Sequence, residues 1–136
     1  MAFLDAPYVA GIIDGEGSVL ISKDHPDTKP CYTAKAIVTN TNLELIDSLM
    51  ETFGGRKVVT HAGTFATKEV YQWRLCDKPS VKECLEIVLP WLLIKRAKAE
   101  LVLEYLGQLT DYARRPIPLG ELALRERYYQ AVKEAA

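Results

Sequence analysis

The sequence predicts an α+β domain, because β-rich segments come in two adjacent pairs and amphipathic, capped segments precede, separate and follow them. Asp5 can cap a helix that carries Pro7 in its first turn and ends near Gly17. Residues 18–23 (Ser-Val-Leu-Ile-Ser-Lys) read as a strand, residues 25–30 with Pro26 and Pro30 as a turn, and residues 32–39 as a second strand. Asn42 caps a helix whose apolar positions Leu43, Ile46, Leu49, Met50 and Phe53 recur at three- and four-residue steps, and Gly54-Gly55 ends it. Residues 57–61 and 68–76 give two further strands around a turn at Ala62-Gly63-Thr64. Ser80-Val81-Lys82-Glu83 has the capping-box pattern and opens a helix running to about Leu89, where Pro90 breaks it. A long amphipathic helix then spans about 91–108, with Leu92, Ala99, Val102, Leu103 and Leu106 on its apolar face. Residues 111–119, with two prolines, form a loop before a last helix over about 120–135. The order is αββαββαα plus a terminal helix. No linker, low-complexity tract or long repeat interrupts it, so residues 1–136 are read as one domain.

Hydrophobic residues make up 49% and charged residues 26% of the 136, the balance of an ordinary globular chain. No apolar run approaches the roughly 20 residues of a membrane span, so no membrane partner is expected. Residues 1–5 lack a basic region leading into an apolar stretch, which argues against secretion. The three cysteines, Cys31, Cys76 and Cys84, are odd in number and lack metal-binding spacing; they read as buried free thiols in a reducing, intracellular compartment. The net charge of −1 counts against a nucleic-acid-binding protein, but a phosphate surface needs positive charge only locally. Segments 31–42 and 56–75 carry Lys35, Arg56, Lys57, Lys68 and Arg74 against Glu69 alone. Charge by itself leaves a solvated sheet face as a second reading.

The most informative stretch is Val9-Ala10-Gly11-Ile12-Ile13-Asp14-Gly15-Glu16-Gly17. Gly11 and Gly15 lie four apart on one helix face, and each costs about 1 kcal/mol against alanine inside a helix. Close approach of another helix accounts for both. Glu16 places a carboxylate against the negative end of the helix dipole, an unfavourable position that a bound divalent cation reverses. Without further context, a capping Gly17 beside an exposed Glu16 accounts for the same residues.

The nonapeptide resembles the LAGLIDADG motif at every position, with Val9 and Ile12 for leucine, Gly15 for alanine and Glu16 for aspartate. The resemblance spans roughly residues 4–109 and includes the αββαββα order, the turn at residues 38–42, and Leu-Pro-Trp-Leu-Leu-Ile-Lys at 89–95. It implies the fold of the LAGLIDADG homing endonucleases, with a curved four-stranded antiparallel sheet that binds DNA and an extra C-terminal helix outside the family pattern. It also implies catalysis by Glu16, with Lys95 near the scissile phosphate and Asn40 contacting ordered water. Glu16, helped by the Gly15 carbonyl, is then the ligand for Mg²⁺ or Mn²⁺, while Ca²⁺ supports binding without cleavage. Lys95 as a solvated helix lysine and Asn40 as a turn residue are the plain alternatives.

A single copy of the motif supplies a single acid, whereas cutting both strands needs two. The chain is therefore expected to form a homodimer through Ala10, Gly11, Asp14 and Gly15, on a roughly palindromic double-stranded DNA target. Strand alternation assigns Leu20, Ser22, Thr33, Lys35, Ile37, Val59, His61, Lys68, Gln72 and Arg74 to the DNA, with Gln72 and Arg74 as the base readers. Val19, Ile21, Val58, Tyr71, Trp73 and Leu75 are assigned to the helices. Two other functions remain compatible: an RNA maturase acting on its host intron RNA, and a DNA-binding protein without cleavage.

Overall fold

A computed structural model describes residues 3–61, 69–113 and 115–135. Helix α1 (Ala6–Glu16) starts at Asp5, whose side chain accepts from the Tyr8 N–H at 3.0 Å, and passes at Gly17 straight into strand β1 (Gly17–Asp24). A Cβ at position 17 would lie 2.8 Å from the Ile13 Cα, so only glycine allows so tight a passage from helix to strand. After a turn come β2 (Cys31–Asn40) and α2 (Leu43–Phe53), the helix capped by Asn42 as expected. Gly54 and Gly55, at φ 79° and 90°, end α2 in a conformation that side chains disfavour. Strands β3 (Arg56–His61) and β4 (Glu69–Leu75) follow. The expected turn at Ala62-Gly63-Thr64, together with Lys68, lies outside the described residues.

The four strands form one antiparallel sheet in the order β1-β2-β4-β3. All five helices contact it or one another on one side. That side holds the core: Val19, Ile21, Ala34, Ala36, Val38, Trp73 and Leu75 from the strands meet Val9, Ile13, Ile46, Leu49, Leu85 and Val102 from the helices. Trp73 is fully buried and donates its indole N–H to the Gly54 carbonyl at 2.8 Å, satisfying its one polar atom.

Two helix starts differ from the sequence reading. Helix α3 (Lys78–Val88) is capped by Asp77, which accepts from the Ser80 N–H, so the Ser80 capping box lies inside the helix. Pro79 fits there because a first-turn residue needs no N–H partner. Helix α4 (Arg96–Gln108) begins five residues later than expected, after a 3₁₀ turn at Leu89–Trp91 and an irregular stretch over 92–95. Asp14 takes the backbone N–H groups of Leu93 and Lys95, holding them outside a helix. Buried Leu92 therefore enters the core from a turn, and Tyr105 joins Ala99 and Val102 as the buried face of α4.

Helix α5 (Leu119–Glu134) packs on α4 and β1, where Lys23 pairs with Glu126 and Tyr129 meets Tyr32 edge-on. No described helix is long and apolar enough to cross a membrane. All three cysteines are free; Cys84 is buried and Cys76 half-buried, but Cys31 is exposed, because the first position of β2 points away from the helices.

Candidate active site and nucleic-acid face

Three residues singled out from the sequence, Glu16, Asn40 and Lys95, gather around the last turn of α1. Gly17 pairs with Val38 across β1 and β2, which brings the end of β2 beside the helix terminus. There the Asn40 amide donates to Glu16 Oε2 at 2.5 Å, while its own oxygen accepts from the Asn42 N–H at 2.8 Å. The second bond fixes which way the amide faces, since only an oxygen can accept from a backbone N–H. Glu16 itself is exposed.

Lys95 is half-buried and is not a solvated helix lysine. Its ammonium donates to the carbonyls of Ile13 (3.2 Å) and Asp14 (3.0 Å), placing a cation at the negative end of α1. Asp14 fastens the same stretch: its two oxygens accept from the N–H groups of Leu93 (2.8 Å) and Lys95 (3.0 Å). Burial raises the Asp14 pKa, but the amides of Leu93, Lys95 and Ile94 and the Lys95 charge together outweigh it and hold the carboxyl below its ordinary value. Helix α1 and the 92–95 turn are thus locked together by four hydrogen bonds.

Of the four residues expected at a dimer interface, Gly11 and Gly15 are exposed, and a Cβ built on either meets nothing within 4 Å. Ala10 is fully buried, because with Val9 and Ile13 it forms the core side of α1. Asp14 is taken up by its own chain. The turn it holds exposes Leu93 (84%) and Ile94 (65%) next to α1, an apolar surface hidden by reading residues 91–95 as helix.

The helix-free face of the sheet follows from the register. Leu20 pairs with Lys35, Ser22 with Thr33, Ile37 with Arg74 and Thr39 with Gln72, so the choices on β1, β2 and β4 share one face. On β3 the expected register is off by one residue. Val58 pairs with Gln72, and Arg56 with Arg74, which puts both on the open face; Val59 pairs with Tyr71, on the helix side. Position 61 has the parity of Val59, and the His61 side chain lies outside the described residues, as does Lys68. Lys57, opposite Trp73, turns to α2 and pairs with Asp47 at 3.1 Å, so it adds nothing to the open face. The open face thus carries Lys35, Arg56 and Arg74; Arg56, counted from the sequence only as local positive charge, and Thr39 join the residues assigned to it by strand alternation. A separate cavity of about 560 Å³, between the 25–31 turn and the 110–117 loop, is lined by none of Glu16, Asn40 and Lys95.

An αββαββα chain with one open sheet face and an acid at the end of its first helix has the fold of the LAGLIDADG homing endonucleases. The homing endonuclease I-CvuI, in complex with its target in the presence of Ca, is similar at a TM-score of 0.63 and 20% identity, over 94% of this chain and 92% of its own. I-TnaI, another homing endonuclease, gives 0.62 at 17% identity over 97% and 98%. The LAGLIDADG homing endonuclease I-GzeII, in complex with its DNA target, gives 0.71 at 13% identity over 98% of this chain but 45% of its own. No family model and no curated protein matches the sequence.

Proposed function

We propose that this chain is a LAGLIDADG homing endonuclease that, as a homodimer, makes a metal-dependent double-strand cut at a long, roughly palindromic DNA site. One observation carries the reading: an exposed glutamate, held by Asn40, ends the helix that presents Gly11 and Gly15 outward. Two copies meeting through that helix face bring two Glu16 carboxylates together, one for each strand. Exposed Leu93 and Ile94, in the turn that Asp14 holds beside α1, add apolar area suited to a second copy.

The donors fit a hard divalent cation. Glu16 is solvent-accessible and offers carboxylate oxygen, and the preceding Gly15 offers a carbonyl; both are ligands of the kind Mg²⁺ takes. When bound, the cation supplies positive charge that stabilises the scissile phosphate as charge builds on its oxygens. Asn40 fixes the carboxylate by its hydrogen bond. Lys95 has three N–H donors and spends two on α1 carbonyls, so the third is available to a phosphate oxygen or to the attacking water. The open sheet face, with Lys35, Arg56 and Arg74, takes the major groove, where base edges carry a full donor and acceptor code.

The test is incubation with a library of randomised duplexes and Mg²⁺, followed by sequencing of the cut ends. Cleavage at one roughly two-fold symmetric site is expected. Selective binding without cleavage would leave a DNA-binding protein, and selective binding of structured RNA alone would leave a maturase.

A further inference from the structure

The open face holds an ordered side-chain chain across two strands. Gln72 Nε2 donates to Thr39 Oγ1 on β2 at 3.0 Å, and Gln72 Oε1 accepts from Arg74 Nε on the same strand. Among the described residues, the two Nη groups of Arg74 take no partner. Arg74 also lines a cleft of about 500 Å³ together with Gly55, Arg56, Cys76 and Asp77. Arg56 lies directly opposite Arg74 on β3, and like charges in that relation repel. The Gln72 oxygen is the group that holds the Arg74 guanidinium against this repulsion.

We infer that Gln72 is a positioning residue and not a base reader, and that Arg74 alone reads on β4, presenting its Nη1/Nη2 edge to a guanine in the major groove. The inference rests on the DNA-reading function proposed above. Bidentate pairing with adenine needs the glutamine oxygen and nitrogen turned together to one base, and here each is bonded to a protein neighbour. Bidentate pairing with guanine needs two parallel N–H groups, and the Nη edge retains them with Nε already taken. A guanidinium held in advance loses less conformational freedom when it meets its base.

Site selection of bound DNA by the full chain and its Gln72→Leu, Gln72→Glu, Arg74→Ala and double (Gln72→Leu, Arg74→Ala) variants tests this, with thermal melts to establish that each is folded. Arg74→Ala is expected to lose roughly 5- to 150-fold of preference at one base pair per half-site. Gln72→Leu should lose part of the preference at that same pair and at no other. Gln72→Glu, which keeps the acceptor, should restore it, and the double variant should match Arg74→Ala alone. If Gln72→Leu relaxes a neighbouring pair while leaving the Arg74 pair intact, or changes nothing, the assignment is overturned. A wild-type chain that selects no sequence overturns the DNA-reading function itself, a failure distinct from either.

Discussion

Asn40 and Glu16 are 24 residues apart in sequence, yet the amide of one donates to the carboxylate of the other at 2.5 Å. Among the described residues the bond leaves Glu16 Oε1 unshared, and the carboxylate is exposed, so charge and geometry at this point can be altered separately. Glu16→Gln removes the charge and keeps the shape. Cleavage should drop below detection in Mg²⁺ while target binding persists in Ca²⁺. Asn40→Ala keeps the charge and frees it to move. By the usual worth of a partner that orients a metal ligand, it should raise the Mg²⁺ needed for half-maximal cutting about 10- to 100-fold. Near-normal cutting by Glu16→Gln would sink the assigned mechanism.

Gly11→Leu and Gly15→Leu add side chains where a Cβ meets nothing within 4 Å of its own chain. The fold of one chain should survive, and its helix should gain up to about 1 kcal/mol in propensity. Two such chains, however, should no longer pack α1 against α1. Sedimentation should show monomer at concentrations where the wild type is dimeric, and double-strand cutting should be lost. An unchanged, active dimer would place the interface elsewhere.

Trp73 fills the core between Phe53, 6.2 Å away ring to ring, and the carbonyl of Gly54. Trp73→Ala should lower stability by about 3–5 kcal/mol, read from denaturant melts. Bound-site selection below the melting point should show unchanged base preferences. A shift in base preference without loss of stability would contradict the register of β4.

Asp14 gives a pH signature. Because its carboxyl is held below the ordinary value, its contribution is complete above the unfolded carboxylate pKa of about 3.9 and is lost as pH falls through the lower folded value. Asp77, held low first by the Ser80 hydroxyl, acts in the same direction. Asp14→Asn should cost about 1.5–3 kcal/mol at pH 7, as for hydrogen bonds to a charged acceptor. The gap to wild type should narrow in urea melts below about pH 4. Cutting should fall as well, since Lys95 loses its backbone anchor. A gap that is constant from pH 7 to pH 3 would mean the Asp14 charge contributes nothing.

What was legible in the sequence was whatever local chemistry determines. Asp5, Asn42 and Gly54-Gly55 punctuate their helices because caps and left-handed residues act on neighbouring backbone, and the motif brought out Glu16. The alternation of Tyr71, Trp73 and Leu75 with Gln72 and Arg74 oriented β4, since burying Arg74 and exposing Trp73 would be costly. Strand β3 offers no such contrast: Val58 and Val59 are adjacent, and Arg56 and Lys57 are both cationic, so either register looks equally good. Nor does the sequence show that Lys57 goes to Asp47, ten residues back, or that Asp14 holds Leu93 and Lys95 outside a helix, because both outcomes depend on how separate elements pack together. Ala10 was misassigned for a simpler reason: a small residue suits a close helix contact and a tight core equally well.

The two bonds from Asp14 to the 93–95 turn span 79 and 81 residues. Helix α1 leaves the ribosome well before residue 95, so its C-terminal carbonyls meet the lysine only after that residue has been made and has travelled back to them. Contacts of such separation form late and slowly. A partly synthesised chain therefore carries Glu16 at a helix end whose Ile13 and Asp14 carbonyls have no ammonium to accept from, until α1, α2, α3 and all four strands have been made.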